Sequence, residues 1–128
     1  MRVTIVDENA IDRAVGARIA LRRQALGLTQ SDLARGVGIS FQQIQKYERG
    51  ENRVSASRLY GIAATLRATP ADFLPSKGDL ELGEDWLADL RGLTTLPEGR
   101  ALALAFPTIA DADLRRCLSR VVEALAAR

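Results

Sequence analysis

Gln42, Gln45, Lys46 and Arg49 fall in the stretch SFQQIQKYERG at spacings that gather them into one sector of a helix, with Phe41 at its edge. Their chemistry is hydrogen bonding to a ligand. A glutamine amide offers a donor and an acceptor together, which matches the N6/N7 edge of adenine in a major groove, while Lys and Arg match guanine or phosphate oxygens. Ile44 and Tyr47, three apart, are left for the inward side, and Glu48 is the one acid in this helix. A polar outer face is also what any soluble helix carries, so the neighbouring elements must decide its meaning.

Those neighbours predict two short helices joined by a tight turn. Thr29 can cap a helix over Gln30 to Gly36, with Leu33 and Ala34 inward. Gly36 and Gly38 punctuate the connection, Ile39 plugs the corner, and Ser40 caps the next helix. Ahead of them, a long helix from Ala10 or Ile11 carries the stripe Ile11, Val15, Ile19 and Leu26 beside Ala14, Arg18 and Arg22, and ends at Gly27. Residues 1–9, with Val3, Ile5 and Val6, read as a flexible lead. Behind, Glu51, Asn52 and Arg53 form a polar loop. Ser55 or Ser57 then caps a helix burying Leu59, Ile62, Ala63 and Leu66. Thr69 and Pro70 open a final turn whose Phe73 and Leu74 close the bundle.

The motifs GLTQSDLA, VGIS, IQKYERGENR and SASRLYGIA resemble the helix-turn-helix of the lambda-repressor-like DNA-binding domains, the Cro and phage-repressor type or XRE family. The resemblance covers about seventy residues and implies an all-α, five-helix domain over residues 10–75. It implies a sequence-specific transcriptional regulator, most often a repressor. Carried over residue by residue, it assigns base reading to Ser40, Phe41, Gln42, Gln43 and Lys46. Phosphate contacts fall to Gln30, Arg49, Asn52 and Arg53. Arg23 and Glu48 stand where family members form an ion pair tying the first helix to the recognition helix, which makes Arg23 scaffold. Phe41 departs from the polar residue that many phage repressors carry; packing on a thymine methyl and a partly buried structural role both stay open. Glu51 sits beside the presumed phosphates and is assigned no contact.

A chain of 128 residues, rich in aliphatic and poor in aromatic residues, suits one helical domain with an appendage. Residues 1–75 hold 11 Lys and Arg against 7 Asp and Glu, and residues 76–128 hold 7 against 9. The positive balance thus lies with the helix-turn-helix, as a polyanion partner requires. With no histidine and one cysteine, the commonest general base and any zinc cluster are absent. No cofactor, metal or enzymatic activity is expected. The single cysteine, a start unlike a signal peptide and no apolar run of roughly 18–20 residues set the expectation of a cytoplasmic, nucleoid-associated protein without membrane contact.

Residues 76–84 read as a linker, and 85–128 as a helical extension. Its expected parts are a short helix carrying Trp86, Leu87 and Leu90 that Gly92 ends, a helix from Pro97 to Phe106, and a last helix. That last helix, opened by Asp111 or Asp113, has the stripe Leu114, Leu118, Val121 and Leu125, with Cys117 as a small core residue. The wording FPTIADADLRRCLSRVVEALA resembles the tail behind this helix-turn-helix in a group of short bacterial regulators. About fifty residues make a marginal core. The extension should therefore pack on its own module or on a second chain, and is expected to form the homodimer. A homodimer sets two recognition helices about 34 Å apart on a near-palindromic double-stranded operator. Longer relatives attach a self-cleaving protease using a Ser–Lys pair; this tail is too short and too helical for it, and its lysine is Lys77. The alternative is a DNA-binding antitoxin or a protein-interaction module acting through a protein partner; the cations and glutamines on the outer face weigh against a fold that has lost DNA binding and leave the DNA-binding antitoxin open.

Overall fold

The computed structural model describes residues 7–81 and 92–127, and all regular structure among them is helical. The arm at Val3, Ile5 and Val6 and the helix of Trp86, Leu87 and Leu90 lie outside the described residues. In order come α1 (Glu8–Ala25), α2 (Gln30–Val37), α3 (Phe41–Glu48), α4 (Ala56–Thr65), a 3-10 turn (Pro70–Phe73), α5 (Lys77–Glu81), α6 (Pro97–Ala105), a second 3-10 turn (Phe106–Thr108) and α7 (Ala112–Ala126).

Caps set the boundaries. Asp7 accepts from the Ala10 N–H, so α1 begins at Glu8, two residues before the apolar pattern does. Thr29 and Asp32 form a reciprocal capping box on α2, Ser40 accepts from the Gln43 N–H on α3, and Ser55 caps α4. The α2–α3 corner turns on Gly38 alone, at φ +84°, a left-handed backbone that L side chains resist. Gly36 stays inside α2, where its small size matters instead: a Cβ there would stand 2.5 Å from Thr65 Cγ2.

The core lies between α1, α2, α3 and α4, and Phe73 seals one end. Ile19, Leu33, Ile44, Ile62 and Leu66 are wholly inaccessible. Leu74, expected beside Phe73, is half exposed, because the chain leaves the 3-10 turn there in an extended conformation. The fifth element of the expected module is thus a single 3-10 turn. Arg18 and Arg22, on the margin of the α1 stripe, act as clamps across the bundle. Arg22 Nε donates to the Leu66 carbonyl at 3.0 Å and Nη2 to that of Arg67; Arg18 Nη1 donates to the carbonyls of Asp72 and Leu74. These bonds satisfy carbonyls left free where α4 and the 3-10 turn end.

Beyond residue 75 the structure differs from the expected linker. Ser76 caps a short α5, and Asp79 pairs with Arg18, which ties this segment to α1. A helical turn occupies 92–95, so Gly92 does not end a helix. Thr94 is buried and donates to Gln24 of α1, and α6 packs on α1 from that anchor. The last helix, α7, capped by Asp111, contributes no buried residue. Its stripe of Leu114, Leu118, Val121 and Leu125 is 44–58% exposed, and Cys117, expected in a core, is exposed as well.

Candidate nucleic-acid interface

The candidate interface is built on α3, whose C-terminal half is braced by α1. Gly16 brings α1 against it at backbone distance: a Cβ there would fall 2.1 Å from the Tyr47 carbonyl oxygen. Only glycine allows that approach. Beside this contact Arg23 Nε and Nη2 donate to Glu48 at 2.7 and 2.9 Å, with both side chains nearly inaccessible. Arg23 Nη1 donates to the Leu28 carbonyl at 2.8 Å. Glu48 also accepts from Gln30 Nε2 at 3.0 Å. Four segments are thereby joined through one guanidinium–carboxylate pair. A two-bond pair of this kind fixes orientation as well as distance. Gln30 spends one amide hydrogen on Glu48 and keeps the other.

Held this way, α3 turns Ile44 and Tyr47 inward and Phe41, Gln42, Lys46 and Arg49 outward. Gln43 is half buried, and Ser40 uses its hydroxyl as the cap. A concavity runs beside the helix, lined by Ser40, Gln43, Tyr47, Asn52, Arg53 and Arg58. Arg58 was not among the residues picked from sequence. Its signal was present: it stands three residues after the Ser55 cap, in the first turn of α4, on the side of the polar loop.

Not every candidate cation is open. Arg49 lies 3.9 Å from Glu51. Arg53 Nε donates to Asp12 at 3.1 Å and Nη2 to Glu8 at 2.5 Å. Hydrogen bonds first to Asp12 and then to Glu8 raise the Arg53 guanidinium above its ordinary value. On α2 the Thr29 backbone N–H, then its hydroxyl, then Arg35 hold Asp32 below the usual carboxylate range. Of the residues expected at the site, Phe41, Gln42, Lys46, Arg49, Asn52 and Arg53 are exposed on α3 and the following loop, Gln43 is half buried, Gln30 lies on α2, and Arg23 and Glu48 stand behind α3. Among the described residues no group of His, Cys, Asp and Glu could hold a metal, and no helix is long and apolar enough to cross a membrane.

A helix-turn-helix family profile matches residues 19–74, the span from mid-α1 to the first 3-10 turn. An HTH-type transcriptional regulator of Sinorhizobium medicae is 42% identical over 126 residues, covering 93% of this chain and 91% of that protein. A transcriptional regulator from the ATPase CF(0) region of Rhodospirillum rubrum is 60% identical over 74 residues, 58% of this chain and 66% of that protein. The regulator DicA of Escherichia coli is 32% identical over 56 residues, 44% of this chain and 42% of that protein. The Sinorhizobium likeness runs through the C-terminal extension as well as the bundle. With the glycine-turned α2–α3 pair and its outward polar face, this places the chain in the XRE-type family of helix-turn-helix transcriptional regulators.

Proposed function

We propose that the protein is a sequence-specific repressor that binds a near-palindromic operator as a homodimer. The observation that carries this reading is the outward stripe of Gln42, Lys46 and Arg49 on a helix whose orientation the buried Arg23–Glu48 pair fixes. Base edges can be read only by side chains held in register with the groove, and that pair supplies the register. Ser40, Phe41, Gln42, Gln43 and Lys46 are the proposed base readers. Gln30, Arg49, Asn52 and Arg53 are the proposed phosphate contacts, joined by Arg58.

One such module buries too little surface for tight, specific binding, so two copies are needed. We assign the pairing surface to α7, with a second copy of this chain as its occupant. Its open apolar side chains, Leu114, Leu118, Val121, Val122 and Leu125, present on the order of 500 Å², at the upper end for a lone monomer. The groove that Leu118 and Val122 share with Leu93, Leu102 and Phe106 extends the patch beyond α7, toward the roughly 800 Å² per partner of a stable interface. The stripe is also self-complementary: about a twofold axis between residues 118 and 121, Leu114 meets Leu125 and Leu118 meets Val121 of the other copy.

The test is selection of bound duplexes from a randomised pool at near-physiological salt. Enrichment of a palindrome with half-sites about one helical turn apart supports the dimeric reader. Binding without enrichment would replace it with phosphate attraction alone, and no retention with a protein-partner role. Leu118→Glu should turn a sedimenting dimer into a monomer; an unchanged dimer would move the interface off α7.

A further inference from the structure

We propose that Glu8 and Asp12 serve as built-in phosphate surrogates: they hold Arg53 while no DNA is bound and lower the affinity for every duplex. This inference rests on the DNA-binding reading above.

Three observations support it. First, the carboxylates take the Nε and Nη2 edge of Arg53, the planar edge that a phosphate would engage with two parallel bonds. Second, the arrangement is built into the packing. The loop before Arg53 lies on α1: Gly50 has φ +72°, and a Cβ on it would stand 2.8 Å from Arg13 Cα, next to Asp12. Asp12 is only 18% exposed beneath Arg53, which is itself 62% exposed. Third, Glu8 and Asp12 are four apart on one helix face, where like charges repel unless a cation bridges them. Arg53 supplies that bridge.

The charge balance sets the direction of the effect. The two carboxylates and the one guanidinium of this cluster sum to −1, beside a surface proposed to meet a polyanion. A phosphate that takes the same two-bond edge of Arg53, Nε with Nη2, must displace at least one of them. Because the penalty concerns the backbone, it falls equally on operator and non-operator DNA. The consequence is a protein that dwells less on random sequence, while the base readers on α3 are untouched.

The experiment uses the full chain and a mixed-sequence duplex of two helical turns, about 21 base pairs, titrated across salt. Glu8→Gln, a change at an exposed side chain, should tighten binding roughly fivefold to tenfold near 0.1 M salt and steepen the log–log salt slope by about one, the signature of one more phosphate contact. Asp12→Asn should act in the same direction. In an Arg53→Ala background the change in slope should vanish. Wild-type binding with no gain, or a loss, in both single variants would overturn the surrogate role while leaving the DNA reading intact. Failure of the wild type and the variants to bind any duplex would overturn both.

Discussion

The core stripes of α1 to α4 and the stripe of α7 are both aliphatic residues recurring at helical spacing, and they end in opposite environments. Leu33, Ile44 and Ile62 have no accessible surface, whereas Leu118 and Val121 keep about half of theirs. Four elements of the bundle converge, so each apolar face finds another. In the extension α6 takes the free side of α1, anchored by Thr94 on Gln24, whereas no residue of α7 is buried among the described residues. Burial, rather than hydropathy, therefore separates the core stripe from an exposed apolar one.

The comparison can be broken most severely at the buried pair. Glu48→Ala leaves Arg23 desolvated and without its carboxylate, and should cost about 3–5 kcal/mol in denaturant unfolding. A loss below about 1 kcal/mol would show that water reaches the site. The paired substitution Leu33→Ala and Leu118→Ala comes next. Leu33→Ala should cost about 2–5 kcal/mol at any protein concentration. Leu118→Ala should lower stability only where the wild type self-associates, and a cost independent of concentration would mean that α7 packs within its own chain.

Acid should act on the caps of the bundle. The Thr69 backbone N–H and then its hydroxyl hold Asp72 below the usual carboxylate range, as the Thr29 groups hold Asp32. Groups with depressed values contribute stability that is complete above the unfolded value, about 3.9, and is lost as pH falls through the folded one. Thermal midpoints should therefore fall below about pH 4, and less so in Asp32→Asn, whose own cap no longer titrates. The smallest effect separates the two regions once more. Thr29→Ala should cost the whole bundle about 1 kcal/mol. Asp111→Ala should reduce helicity by fraying α7 and leave the main unfolding transition in place.

Much of this architecture was legible in the chain because its signals are local. The caps at Thr29, Ser40 and Ser55 and the inward positions of Leu33, Ile44 and Leu59 follow from hydroxyl placement and helical period alone. Local pattern was insufficient where a residue answers to a distant one. Gly36 looked like turn punctuation until Thr65 occupied the space of its Cβ. Leu74 and Cys117 match apolar positions, and the fold leaves both exposed. Residues 76–81 read as a linker because a short helix held by Asp79 and Arg18 depends on a pairing 61 residues apart in sequence.

What the sequence determined by itself is the list of elements and their polar and apolar faces, since capping and amphipathicity act over three or four residues. What only the tertiary structure decided is which charges and which apolar stripes are already satisfied. Arg53 is a loop cation in the sequence and the partner of two carboxylates in the fold; α7 is one more amphipathic helix in the sequence and an uncovered face in the fold. Coulomb attraction and burial both depend on distance through space, and the spacing of residues along the chain does not report it.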